Sequence, residues 1–202
     1  MVRTNIGGWH SNINLQDLGH PALTRLYSEV LKTAEQVTRD LIPRLPDLRK
    51  EDWRIESWLN ANGKDALNTW HDHCSYNRDH SNLWAAVYYV DGGQPDGDTP
   101  QEGEIMFRDD FLGPHMELYT PGRSIRTVEF TPKTGTFFIF PSWLRHSVKP
   151  YRGLGERVSI AINLAHPAIS IDKKPDYRRF PWAWKCAPGL MKKLRKISPF
   201  EL

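Results

Sequence analysis

His71-Asp72-His73 is the pattern in this chain with the clearest chemical use. In an extended segment alternate residues share a face, so the two imidazoles point one way and Asp72 the other. Their positions lie about 7 Å apart along a strand, and both ring nitrogens can grip one metal ion if the strand end bends. A lone pair of this kind is a weak signal, since two polar residues on a loop read the same. A second element strengthens it. Gly135-Thr136-Phe137-Phe138-Ile139-Phe140-Pro141-Ser142-Trp143-Leu144-Arg145-His146 reads as a buried strand, a proline break and then a histidine. Further on, Arg157 and Ser159 share one face of a strand whose other positions are aliphatic. A cation directed into an apolar interior needs an anion to offset its desolvation. A guanidinium is also the group best shaped to hold a carboxylate through two hydrogen bonds. The plain alternative is a surface pairing of Arg157 with Glu129 or Asp109. His10, His20, His115 and His166 have no spacing that recommends them, and they read as surface or satisfied core residues.

The elements that must position these groups are those of a soluble globular chain. The 202 residues are 39% hydrophobic and 25% charged, which suits one domain with a modest extension and excludes a mainly disordered chain, a collagen or a coiled coil. No apolar run approaches the ~18 residues of a membrane span, and Met1 to Gly8 lacks the apolar core of a signal peptide. Cys74 and Cys186 are the two cysteines, too few for a disulfide framework or a CxxC zinc site. These features predict a cytoplasmic protein with reduced thiols. The net charge of +3 does not by itself argue for nucleic acid or an anionic membrane. Charge is uneven, however: nine Lys/Arg against three acids fall between Asp172 and Leu202. The expected division is therefore a main domain over 1–171 and a basic extension over 172–202.

Leu23, Leu26, Tyr27, Val30, Leu31, Ala34, Val37 and Leu41 follow a helical rhythm, with Pro21 in the first turn and Pro43 ending it. After Pro46 the rhythm changes to short aromatic and β-branched runs. They cover Arg54 to Asn60, Leu83 to Val90, Glu104 to Arg108, Ser124 to Phe130, Gly135 to Phe140 and Arg157 to Leu164. One helix followed by many strands predicts an antiparallel sandwich or barrel rather than a parallel βαβ sheet. Asp91 to Gly103 has no aliphatic or aromatic residue and reads as a mobile loop, a possible lid.

Taken in order, these segments resemble a known family. Gly7-Gly8-Trp9, Trp58-Leu59-Asn60, Asn68-Thr69-Trp70-His71-Asp72-His73, Val87-Tyr88-Tyr89-Val90, Gly103-Glu104-Ile105, Phe140-Pro141-Ser142-Trp143-Leu144-Arg145-His146 and Gly155-Glu156-Arg157-Val158-Ser159 run collinearly over about residues 7 to 165. The chain is similar to the 2-oxoglutarate- and Fe(II)-dependent oxygenases of the double-stranded β-helix (jelly-roll, cupin-like) superfamily, in the branch with Asn-x-x-His-x-His and Phe-Pro-Ser-Trp-Leu-x-His elements.

The resemblance implies a mainly β fold with an N-terminal supporting helix and an iron held by His71, His146 and the residue at position 73. The wider superfamily usually has a carboxylate at that middle position, where this chain has His73. Asp72 or Asp79 completing the site, or a site without a third protein ligand, are the alternatives. By the same resemblance Arg157 grips the distal carboxylate of 2-oxoglutarate with Ser159 beside it. Tyr88 or Tyr89, whichever faces inward, adds a second donor; Tyr88 is the first choice. Asn68 and Asn60 serve the ligand shell or the substrate. The implied reaction consumes O2, releases succinate and carbon dioxide, and oxidises an unactivated C–H bond, by default to an alcohol. The stretch from Cys74 to Ala86 is longer than the branch usually has. Tyr76, Arg78 and Asp79 within it are candidate contacts to a small-molecule or amino-acid-like substrate, and a solvated loop is the plain reading. Two other functions compete. One is a three-histidine cupin dioxygenase that does not use 2-oxoglutarate. The other is a non-catalytic metal-binding barrel whose basic tail docks an acidic partner such as a carrier protein. Nucleic acid is disfavoured because aromatic and basic residues do not interleave in a recognised motif, and a homodimer is left open.

Overall fold

A computed structural model of the chain describes residues 4–42, 52–74, 81–108 and 127–166. After two short strands, β1 (Asn5–Ile6) and β2 (Trp9–His10), and a 3-10 turn at Leu15–Leu18, the chain enters helix α1 (Pro21–Leu41). Pro21 suits the first turn, where its missing N–H has no intrahelical role. His20 is the N-cap, its ring nitrogen accepting from the Ala22 amide at 3.2 Å. The helix buries Tyr27, Val30, Ala34 and Thr38. Leu41, expected on that stripe, is exposed at the last turn. The expected stop at Pro43 lies outside the described residues.

The six predicted strands are present as β3 (Arg54–Asn62), β5 (Ser81–Asp91), β6 (Ile105–Arg108), β7 (Thr127–Phe130), β8 (Phe137–Pro141) and β10 (Arg157–His166). Two more, β4 (Leu67–His71) and β9 (Arg145–Val148), carry the histidines. The strands form two five-stranded antiparallel sheets, ordered β2-β3-β10-β5-β8 and β1-β4-β9-β6-β7. This is the expected double-stranded β-helix, mainly β with one supporting helix.

Two apolar layers hold it. Helix residues Tyr27, Val30 and Ala34 pack with Trp53, Trp84, Ile160, Ile162 and Leu164 on the outer face of the first sheet. Ala85, Ile105, Phe107 and Phe140 fill the space between the sheets. Strand β10 is central in its sheet and buried along nearly its whole length; Ile160, Ile162 and Leu164 join the helix-side core, while Arg157, Ser159 and Asn163 on the alternate positions line the space between the sheets. Between Val158 and Ser159 its pairing with β5 slips by one residue, so that Val158 faces Asp91 and Ser159 faces Tyr89. Val90 is the extra residue of this bulge.

Residues 91–103, expected as a free loop, are tied down. Leu154 N donates to the Gln94 carbonyl at 2.9 Å, Arg152 N donates to the Gln101 carbonyl at 2.8 Å, and short bridges join Gln94 to Leu154 and Glu102 to Tyr151. The fully buried Tyr151 is the pin: its hydroxyl donates to the Leu154 carbonyl and accepts from the Gln94 amide. Gly153 is required here, because a Cβ would collide with the Gln94 carbonyl and the Tyr151 hydroxyl. Backbone groups supply the order that side-chain composition does not advertise. The proposed boundary at residue 171 and the basic extension lie outside the described residues. No helix among the described residues is long and apolar enough to cross a membrane.

The helix is latched to its sheet by one buried polar chain: Trp84 Nε1 donates to Thr38 Oγ1 at 2.8 Å, and Thr38 Oγ1 donates to the Ala34 carbonyl at 2.6 Å. Thr38→Val keeps the shape but strands the indole N–H. Urea unfolding is expected to record a loss of about 1–3 kcal/mol, and an unchanged midpoint would dismiss the latch.

Candidate active site

Between the sheets opens a cavity of about 730 Å³. His71 ends β4 and faces His146 of β9 in register across the ladder. After His71 the chain leaves the strand, and this bend carries His73 back toward the same point. Ring centroids lie 4.3 Å apart for His71 and His146, 5.3 Å for His71 and His73, and 5.0 Å for His73 and His146. One ligand nitrogen from each lies within 4.8 Å of the others.

The second ring nitrogens fix the orientation. His71 Nδ1 is 2.6 Å from the Thr69 carbonyl and His146 Nδ1 is 3.0 Å from the Leu144 carbonyl. A carbonyl oxygen only accepts, so both Nδ1 atoms carry the hydrogen and both Nε2 atoms present a lone pair. His73 is held through its backbone. Its N–H donates to the Ser142 carbonyl at 2.8 Å, Asn82 Nδ2 donates to its carbonyl at 2.9 Å, and Ser142 Oγ donates to the Asn82 carbonyl at 2.6 Å. The Pro141–Ser142 break is thus the anchor of the first ligand loop. Sequence reasoning missed Asn82, which reads as an ordinary polar residue of a long connection.

Burial makes the three rings neutral. His146 lies against Phe140 at 4.8 Å and Phe107 at 6.0 Å between centroids. Desolvation, then the neighbouring imidazoles, push its pKa down to about 3. Desolvation, then His71, lower His73 to about 4. Desolvation lowers His71 against a backbone hydrogen bond that favours its charged form. Neutral imidazole is the form that ligates a metal. Metal–nitrogen bonds of about 2.1 Å put adjacent ligands about 3 Å apart, and the His73 and His146 Nε2 atoms are 3.2 Å apart. The donor set therefore fits a divalent transition metal. Asp72 does not join it, because its Oδ1 accepts from the Cys74 amide at 3.0 Å. Among the described residues no carboxylate completes the group. Asp79 lies outside the described residues.

Deeper in the same cavity sits Arg157, 2% exposed. Its Nη1 donates to the Gly103 carbonyl at 2.6 Å, and its buried Nε has no partner. Among the described residues it has no ion pair. Glu129, one of the acids considered for it, instead meets Lys149 at 2.6 Å, and Asp109 lies outside the described residues. Ser159 lines the cavity beside it, and Tyr89 stands opposite Ser159 on β5. The first choice of Tyr88 is corrected by strand alternation. Tyr88 pairs with Ile160 and packs with the helix-side core, while Tyr89 faces the cavity, 1% exposed. Burial raises the Tyr89 phenol to about 12 against the opposing effect of Arg157, so it stays a hydrogen-bond donor. Asn68, Asn60, Trp58, Trp70 and Asn163 line the cavity as well. Tyr76 and Arg78 lie outside the described residues.

Residues 56–163 match the family described as "Putative 2OG-Fe(II) oxygenase". The chain belongs to that family of 2-oxoglutarate- and Fe(II)-dependent oxygenases, whose metal is Fe(II) and whose cosubstrates are 2-oxoglutarate and O2. A Pseudomonas putida prolyl-4-hydroxylase is similar in structure, 17% identical, over 79% of this chain and 72% of that one, with TM-score 0.50. The 2OG complex of a viral collagen prolyl hydroxylase from Paramecium Bursaria Chlorella virus-1 is 11% identical over 81% of each chain, with TM-score 0.51. These two likenesses show the fold. A Burkholderia pseudomallei oxidoreductase of the 2OG-Fe(II) oxygenase family is 20% identical over 58% of this chain, with TM-score 0.42; the matched part spans 46% of its length. None of the curated proteins matches the chain in sequence.

The histidine burial has a sign that can be checked in metal-free protein. In the unfolded chain an imidazole titrates near pH 6.5, whereas His73 and His146 in the fold take up a proton only near 4 and 3. Between those values the unfolded state holds more protons, so stability falls as pH drops from about 6.5 toward 4 and is flat above about 7. The slope is expected to reach about 1.4 kcal/mol per pH unit for each such group, read by urea unfolding in the presence of a chelator. His146→Gln should remove that residue's share of the slope and leave that of His73, and an equal slope in that variant would contradict the burial argument.

Proposed function

We propose that this chain is a non-haem oxygenase that holds Fe(II) through His71, His73 and His146 and 2-oxoglutarate through Arg157. Its substrate is a small-molecule or amino-acid-like compound, oxidised at an unactivated C–H bond, by default to an alcohol, in the cytoplasm. The observation that carries this reading is a guanidinium that meets no anion among the described residues, in the same cavity as three neutral imidazoles whose ligand atoms converge. When bound, the metal and cosubstrate supply an oxidative decarboxylation to succinate and carbon dioxide that is coupled to oxidation of the substrate.

The chain's own residues bind, orient and exclude water. Arg157 and the protonated Tyr89 phenol offer donors to a carboxylate, with Ser159 adding a hydroxyl. Gly103 orients the guanidinium by taking one of its hydrogens. Phe107 and Phe140 keep water from His146. The Asn82–Ser142 clamp fixes the backbone of His73. In the three-histidine dioxygenase alternative, which does not use 2-oxoglutarate, Arg157 would have to take its anion from the substrate or stay unpaired.

Thermal unfolding with Mn(II) and 2-oxoglutarate tests the reading, and a shift that needs both ligands is expected. His146→Ala should abolish the metal-dependent shift. Arg157→Ala should keep metal binding and weaken 2-oxoglutarate by about 2–5 kcal/mol, and equal cosubstrate affinity in that variant would remove the role given to Arg157. Asn82→Ala, which touches the metal only through His73, should cost about 10–100-fold in Mn(II) affinity by isothermal titration.

A further inference from the structure

Two of the three ligand rings have a carbonyl on the nitrogen turned away from the cluster, and the third does not. Thr69 and Leu144 set His71 and His146 in this way. The clamp on His73, made by Ser142 and Asn82, grips its backbone alone. Trp58 and Phe140 wall the His73 ring, with centroids 5.8 Å and 6.3 Å away. Such aromatic walls do not select which ring nitrogen carries the hydrogen. The choice matters, because His73 Nε2 lies 3.2 Å from His146 Nε2. A hydrogen on His73 Nε2 would bond to the His146 lone pair and block the space between them. A hydrogen on Nδ1 leaves both lone pairs open to a metal.

Asn163 is placed to decide between the two. The cavity-lining positions of β10 are Arg157, Ser159, Ala161 and Asn163, every second residue. Arg157 and Ser159 are taken up by the cosubstrate in the reading above, which leaves the amide of Asn163 without a task. In register Asn163 lies opposite Glu56 of β3 and Ala85 of β5, and Ala85 lies opposite Phe140 of β8. Trp58 stands two residues along β3 from Glu56 and faces Ala161. Asn163 is therefore flanked by the two residues that wall His73, and its small neighbours Ala85 and Ala161 leave room for an imidazole above the sheet. Asn163 is 3% exposed, and its Oδ1 is buried without a regular hydrogen bond, which costs stability unless a donor reaches it. Its side chain favours the charged form of His73, as an acceptor does. Ala85 and Phe140 cannot accept a hydrogen, and Glu56 is exposed. We infer that Asn163 is the positioning residue of the third ligand: its Oδ1 accepts the Nδ1 hydrogen of His73 and so keeps the Nε2 lone pair turned to the metal. The inference rests on the reading of the three histidines as the metal centre and adds a residue that reaches the metal only through His73.

Imidazole nitrogen NMR of metal-free, full-length protein at neutral pH tests it, with His73 assigned by its loss in His73→Gln. The wild type should show His73 with its hydrogen on Nδ1. Asn163→Leu, which removes the acceptor, should move that hydrogen to Nε2 and leave His71 and His146 unchanged. The same variant should lose about 10–100-fold in Mn(II) affinity by isothermal titration. Asn163→Asp can accept but not donate, so it should keep the hydrogen on Nδ1 and bind Mn(II) at least as tightly as the wild type. That rescue separates an acceptor from a side chain that only fills space, and it decides the matter even where the leucine variant does not fold. A His73 hydrogen on Nε2 in the wild type, an unchanged tautomer in Asn163→Leu, or loss of the Nδ1 hydrogen in Asn163→Asp would each overturn the inference. Wild-type protein that binds no Mn(II) would defeat the proposed function instead, while the tautomer of His73 still reports on Asn163.

Discussion

A guanidinium almost wholly out of water, with one carbonyl for company, sets the terms for the rest of this structure. Such a group is costly to bury, and the fold contains it by several means. Arg157 lies on the most enclosed strand of its sheet, the Gly103 carbonyl takes one of its hydrogens, and Tyr89 and Tyr151 favour its charged form against the desolvation. The segment that delivers Gly103 is itself fixed by Tyr151 and by close backbone approaches around Gly153. What is left uncompensated is the buried Nε, on a residue that lines the cavity. Local instability of this kind persists only where the surrounding scaffold over-determines it, and here two sheets, a helix and a pinned segment do so.

The three histidines follow a related logic. Their rings are crowded and desolvated, which suppresses the charged form that would otherwise drive them apart. Two of them are aligned by carbonyls two residues before them, Thr69 in β4 and Leu144 just ahead of β9, so each of these rings is oriented by its own local stretch of chain. The third depends on a distant turn and on the start of β5. The cluster therefore couples four strands, and cross-strand register does as much as any contact to bring the nitrogens together.

Much of this was legible in the chain itself. The helix announced itself through period and proline, and six strands through aromatic and β-branched runs between turn residues. The shared side of His71 and His73 and the inward Arg157 with Ser159 were readable from alternation, whereas joining the pair to His146 rested on the resemblance to the oxygenase family. What stayed hidden shares a physical cause: it is carried by backbone groups or by register, which side-chain identity does not encode. Tyr88 and Tyr89 are adjacent and chemically alike, so only their pairing with Ile160 and Ser159 decides which faces inward. The segment from Asp91 to Gly103 looked free because its order comes from carbonyls and amides. Short strands such as β4 and β9 hold too few apolar residues to stand out. Asn82 is recognisable only after folding brings Ser142 beside it.

The bulge at Val90 has an evolutionary consequence. It lets β5 leave the ladder one residue out of step, just where the chain departs toward Gly103. Loops at the rim of a barrel ordinarily accept insertions and deletions freely. This one is measured at both ends, by the bulge and by the carbonyl that meets Arg157. A change of length between them would misplace that oxygen, so lineages carrying this fold should vary the composition of the stretch far more readily than its residue count.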